Sequence, residues 1–136
     1  MSVLTDPALL LDTHILAWWL GAPERLHPGT IDAISTRGRR VLVSAASVYE
    51  MALKHRRGHW PEVATIVGDP IRQLAMEGMH PLAIDLGHAN RAGLLVWDHR
   101  DPFDRLLAAQ AIAEGARLVT SDKVFMSLPG LDVLWN

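Results

Sequence analysis

Short apolar runs separated by helix-length segments constrain this chain most. Ala8-Leu9-Leu10-Leu11 ends at Asp12, and Val41-Leu42-Val43 ends at Ser44. Arg117-Leu118-Val119-Thr120 runs into Ser121-Asp122. Each run is too short for a stable helix and has no polar alternation, which suits a strand covered on both faces. His80 to Ile84 reads as a weaker strand and Leu131 to Trp135 as a last one. Between them the sequence predicts helices over Thr13 to Leu20, closed by Gly21-Ala22-Pro23, and over Pro28 to Thr36, stopped by Gly38. A third runs from Ala46 to Arg57 and stops at Gly58. Pro61 to Gly78 is helical but broken at Gly68-Asp69-Pro70, and Gly87 to Leu94 forms a short helix. Buried strands alternating with helices predict an α/β fold with a central, mainly parallel sheet flanked by helices on both faces. No repeat, low-complexity tract or linker divides the pattern, so residues 1–136 read as one domain. With 49% hydrophobic residues, that length can bury a sizeable core.

The segment His99-Arg100-Asp101-Pro102-Phe103-Asp104-Arg105 opens the most buried helix. Asp101 suits the N-cap and Pro102 the first helical position, while Gly115 suits the C-cap. Phe103 to Ala113 is apolar or small apart from Asp104, Arg105 and Gln110. Helical spacing aligns Asp104 with Leu107, Ala108 and Ala111, so this carboxylate heads an inward face and needs a partner. One candidate is the helix dipole, worth about 0.3–1 kcal/mol in the first turn. The other is a metal ion.

In parallel sheets, functional groups collect beyond the carboxyl ends of the strands. Asp12 ends the first strand, and Asp122 lies just past Thr120. Glu50 falls in the first turns of the helix after Val43, and Asp104 begins its own helix. All four acids therefore share one rim. Each also has a local reading: Asp12 as a cap, Ser47 and Glu50 as a capping box, and Asp122 as a turn residue. Together, four like charges repel unless neutralised, and Mg²⁺ or Mn²⁺ neutralises oxygen ligands of this kind. Such a rim suits phosphodiester hydrolysis. Asp12 and Asp104 are the leading direct ligands; Glu50 and Asp122 complete the site, through water or a second ion.

These segments resemble the PIN domain, specifically the VapC-type toxic ribonucleases of toxin–antitoxin pairs. The likeness lies in Leu-Leu-Asp-Thr-His at 10–14, Ser-Ala-Ala-Ser-Val-Tyr-Glu at 44–50, His-Arg-Asp-Pro-Phe-Asp-Arg-Leu-Leu at 99–107 and Leu-Val-Thr-Ser-Asp at 118–122. It covers essentially the whole chain. The resemblance implies a parallel-sheet α/β fold, a Mg²⁺- or Mn²⁺-dependent endoribonuclease and a cognate antitoxin. The family's acidic quartet falls on Asp12, Glu50, Asp104 and Asp122. Ser121 stands where relatives often carry a basic residue, and Asp101 is kept as an N-cap rather than a ligand. A homodimer is expected to bring two acidic sites to one groove, with Arg37, Arg39, Arg56 and Arg57 helping to hold RNA.

Other chemistries fit less well. Cysteine is absent, which removes disulfide frameworks, thiolate zinc sites and cysteine nucleophiles. There is no Gly-x-Ser-x-Gly, no phosphate-cradling Gly-rich loop with Lys and no His-Glu-x-x-His. A haloacid-dehalogenase-like phosphatase would need Asp-x-Asp, whereas Asp12-Thr13-His14 places histidine at the third position. A non-catalytic module of the same fold, binding RNA or a protein, remains the alternative. Net charge is −2, but setting aside the four rim acids leaves 11 acids against 13 bases. No charged leader or membrane-length apolar run stands out, so a soluble, cytoplasmic protein is expected. His14 reads as a packing residue. His55 and His59 are separated by the helix stop at Gly58. Trp18 and Trp19 point about 100° apart, so one ring should enter the core while the other covers a helix junction or an interface.

Overall fold

The computed structural model describes residues 6–136. Five strands, β1 (Leu9–Leu11), β2 (Val41–Ser44), β3 (His80–Leu82), β4 (Arg117–Thr120) and β5 (Val133–Trp135), form one sheet in the order β3-β2-β1-β4-β5. Every pairing is parallel. Seven α-helices are present among the described residues: α1 (Thr13–Gly21), α2 (Pro28–Ser35), α3 (Ala45–Arg56), α4 (Ala64–Gly68), α5 (Pro70–Met76), α6 (Leu86–Leu94) and α7 (Pro102–Glu114).

Strand alternation divides the core in two. Leu9, Leu11, Val41, Val43 and Val119 pack on one face with Ile15 and Leu16 of α1, Met51 of α3 and Ile66 of α4. Leu10, Leu42 and Leu118 face the other way, against Leu107, Ala108 and Ala111 of α7 and against Phe125. Leu9, Leu10 and Leu11 are all fully buried, which accounts for the unbroken apolar run. Each such side chain contributes about 1.5–3 kcal/mol of transfer free energy.

Two anchors set α7 over the sheet. Its C-cap Gly115 takes the left-handed conformation at φ 61°, as the sequence predicts. At mid-helix, Ser44 Oγ donates to the fully buried Gln110 Oε1 at 2.5 Å, and Gln110 Nε2 donates to the Ala83 carbonyl at 3.2 Å. Gln110 is thus buried at little penalty, because both ends of its amide have partners.

Several expectations are corrected. The predicted strand over His80 to Ile84 stops at Leu82, because Gln110 takes the Ala83 carbonyl and Asp85 caps α6. Pro81 is tolerated because β3 lies at the sheet edge. The last strand shortens to Val133–Trp135. Ser47 does not cap α3: Ser44 does, accepting from the Ala46 N–H at 3.0 Å, and Ser47 lies buried inside the first turn. Trp18 and Trp19 do not divide between core and junction; both are half-buried against the same core, with Trp19 Nε1 donating to Glu77 at 2.9 Å. Arg39 is already engaged by the start of the chain, with Asp6 at 3.5 Å and the Pro7 carbonyl at 3.2 Å. It is therefore a weaker candidate for holding RNA than the exposed Arg56 and Arg57.

The chain leaves β1 for β2 on one side, and β4 pairs with β1 on the other. Strand order thus reverses beside β1, and the carboxyl ends of β1 and β4 meet at that switch point, where sheets of this kind bind ligands. Asp12 and Asp122 stand there.

Candidate active site

Asp12 follows β1 directly and caps α1. Its Oδ1 accepts from the Thr13 N–H at 2.7 Å, and its Oδ2 accepts from the Thr120 hydroxyl at 2.7 Å. Only 6% of the residue is exposed. That burial raises its pKa above the usual carboxylate value; the Thr120 bond, the charge of His14 and the Thr13 N–H oppose the rise, and the charge of Glu50 adds to it. The Thr120 hydroxyl also accepts from the Asp122 N–H at 3.0 Å, tying the loop after β4 to Asp12. Asp122 itself is exposed, and its Oδ1 caps the 3-10 turn Lys123–Ser127 through the Val124 N–H at 3.0 Å.

Glu50, in the second turn of α3, is half-buried and pairs with Lys54 at 3.1 Å. Lys54 Nζ in turn sits 4.4 Å from the centroid of the Trp60 ring. Thr13 Oγ donates to Ser47 Oγ at 2.9 Å, fastening the start of α1 to the start of α3 and hence Asp12 to the helix of Glu50. His14 packs edge-on against Trp60, with ring centroids 4.9 Å apart, in keeping with a packing role.

Asp104 lies in the first turn of α7, where Asp101 is the actual cap: Asp101 Oδ1 accepts from the Phe103 and Asp104 N–H groups at 2.8 and 3.3 Å. A helix N-terminus should favour a carboxylate. Instead burial pushes the Asp104 carboxyl up to about 6, a hydrogen bond from His99 pulls it back, and the charges of Asp101 and Asp12 add to the rise. Asp104 is thus held where its own charge is disfavoured.

Asp12 therefore lies close enough to Glu50 and to Asp104 for their charges to repel, and the Asp122 backbone is tied to Asp12 through Thr120 while its carboxylate turns to the Val124 N–H. The four do not form a tight cage. Among the described residues, only His99, Asp101 and Asp104 bring three ligand atoms within 4.8 Å of one another.

The PIN domain family model matches residues 9–131, a span that includes all four acids. The chain belongs to the PIN domain family. It is also similar to Ribonuclease VapC22 of Mycobacterium tuberculosis, at 34% identity over 116 residues covering 85% of this chain and 87% of that protein. Among solved structures, DNA-bound VapBC from Salmonella typhimurium superposes with a TM-score of 0.72 at 17% identity, covering 96% of this chain and 98% of that one. FitAcB from Neisseria gonorrhoeae superposes with a TM-score of 0.66 at 21% identity, covering 94% and 96%. Both share the fold.

Two residues of this PIN domain escaped the sequence reading of the site. His99 Nε2 lies 2.6 Å from Asp104 Oδ2. Arg105 spreads its guanidinium over five backbone carbonyls: Ala92 at 3.0 Å, Gly93 at 3.4 Å, Leu95 at 2.8 Å, Trp97 at 2.9 Å and His99 at 3.0 Å. The available signal was an arginine in an otherwise largely apolar helix, whose five N–H donors need acceptors once the helix packs.

Proposed function

We propose that this PIN domain is a Mg²⁺- or Mn²⁺-dependent endoribonuclease, the toxin of a toxin–antitoxin pair, working in the cytoplasm as one nuclease domain over residues 1–136. The observation that carries the reading is that Asp12 and Asp104 are both held where burial disfavours their charge, Asp104 being pushed up to about 6, while the charge of Asp12 repels those of Glu50 and Asp104. A divalent cation relieves that repulsion, and the all-oxygen donor set fits a hard ion. The spread of the quartet suits Mg²⁺, which keeps several waters and needs only one or two direct carboxylates. In this reading Asp12 and Asp104 would hold the ion directly, and Glu50 and Asp122 would complete the site through water or a second ion. Such an ion supplies Lewis-acid activation of a phosphoryl oxygen and a water of lowered pKa. The chain's own part is orientation: Thr120 holds Asp12 Oδ2, and the Thr13–Ser47 bond sets α3 against α1. The similarity to Ribonuclease VapC22 supports RNA as substrate. The test is cleavage of mixed single-stranded RNA in Mn²⁺ and in EDTA. Wild-type protein should cut only with the metal, and Asp12→Asn should not cut at all. RNA bound but never cut would favour the non-catalytic module instead.

The antitoxin is expected to lie across the rim with an arginine or lysine paired to the acids in place of the ion. The superposition on VapBC from Salmonella typhimurium makes the fold compatible with such a partner. Expressed with the product of the neighbouring open reading frame, the protein should co-purify as a complex. Recovery always alone, with harmless overexpression, would argue against the toxin reading.

In the expected homodimer the two sites share a groove, and the exposed Arg56 and Arg57 at the end of α3 supply phosphate contacts. Replacing both with Ala should flatten the log–log salt dependence of RNA affinity by about 1.4, at roughly 0.7 per single-strand phosphate. An unchanged slope removes them from the RNA surface.

A further inference from the structure

The geometry points to His99 as a positioning residue that orients the Asp104 carboxylate toward the rim, within a loop fastened for that purpose by Arg105. The inference rests on the metal-site reading above. An ionised carboxylate only accepts hydrogen bonds, so with Asp104 ionised the 2.6 Å contact requires the tautomer in which His99 Nε2 donates to Asp104 Oδ2. No hydrogen bond among the described residues reaches Asp104 Oδ1, which leaves that oxygen for another ligand. A carboxylate gripped at one oxygen cannot turn freely about its last torsion, so the free oxygen is held in one direction.

The imidazole is itself immobilised from two sides. Trp97 packs against its ring, with centroids 5.0 Å apart. The carbonyls of Trp97 and His99 both accept from Arg105 Nη1. Trp97 Nε1 also donates to Ser127 Oγ at 2.8 Å, at the end of the 3-10 turn that Asp122 caps. One fastened loop thus connects the elements carrying Asp104 and Asp122, although His99 is five residues from Asp104 and outside α7. A packing role alone would not require the ring nitrogen to meet a carboxylate within the acidic rim.

The test compares two substitutions of like polarity and different reach. His99→Gln retains an N–H donor at about the position of Nε2, whereas His99→Asn falls short of Asp104. Mn²⁺ binding to the RNA-free protein is followed by the electron paramagnetic resonance signal of the free ion, with melting curves in EDTA to establish folding. His99→Asn should weaken Mn²⁺ binding ten- to a hundredfold, and His99→Gln should stay within about threefold of wild type, the scale set by losing or keeping an outer-shell partner. Equal affinities for wild type and His99→Asn would overturn the inference. So would a His99→Gln as weak as His99→Asn, which would make the imidazole a direct ligand. Wild-type protein that takes up no Mn²⁺ sinks the metal site and this inference together. Mn²⁺ binding with the expected ranking but no RNA cleavage would sink only the ribonuclease reading.

Discussion

Asp104→Asn is expected to raise stability in EDTA, lower it relative to wild type in Mn²⁺, and reduce RNA cleavage to background. The sign follows from the direction of the Asp104 shift. Its carboxyl stands at about 6 in the folded protein against 3.8 ordinarily. The folded state therefore binds the proton more tightly than the unfolded chain. The associated stability is full below about pH 4 and is lost as pH rises through about 6. At pH 7.5 the folded protein carries a disfavoured charge, worth up to about 3 kcal/mol at 1.36 kcal/mol per unit. Asn removes that charge and can still accept the bond from His99. Melting temperatures in EDTA should then favour the variant at pH 7.5, and the advantage should vanish near pH 4. Mn²⁺ reverses the order, because an ion bound only by the folded wild-type site stabilises it by about 2.7 kcal/mol at a hundredfold excess over its dissociation constant. Equal destabilisation of about 0.3–1 kcal/mol in both buffers, with cleavage retained, would instead leave Asp104 as a helix-dipole residue.

Arg105→Ala should be the most destabilising single change near the site. The guanidinium bridges carbonyls from Ala92 to His99, spanning the end of α6 and most of the loop that leads to α7. Hydrogen bonds to a charged group contribute about 1.5–3 kcal/mol each, and bonds sharing one side chain are not additive. A loss of about 3–5 kcal/mol is expected, a large part of the 5–15 kcal/mol typical of a whole domain. Arg105→Lys should recover little, since one ammonium cannot replace a planar fork that meets five acceptors. Urea unfolding measures the loss, and amide exchange should rise most between Leu95 and His99. A loss below about 1 kcal/mol would mean that the loop is held by Trp97 packing alone.

The sheet and most helices were legible because their signals are local. Leu9-Leu10-Leu11 has no polar alternation because it is covered on both faces, and Asp101-Pro102 with Gly115 marks the ends of α7 within a residue. The capping of α3 was misread because Ser44 and Ser47 both have hydroxyls near its start; only the backbone decides which lies outside the helix. Arg39 could be counted as a basic surface group because nothing in its neighbourhood along the chain reveals its bond to the Pro7 carbonyl.

The four acids were chosen from the sequence because each follows a strand or opens a helix, and in a parallel sheet those positions share a rim. Side-chain period, caps and stops are set within about four residues, so the order of elements is readable from the chain alone, and with it the acids that stand at strand ends and helix starts. What those acids experience was decided only by tertiary structure. The order β3-β2-β1-β4-β5 lets Thr120 reach Asp12 across 108 residues, burial raises Asp12 and Asp104, and the Arg105-fastened loop turns His99 onto Asp104. Desolvation and charge repulsion depend on distances through space, and the chain acquires those distances only when it packs.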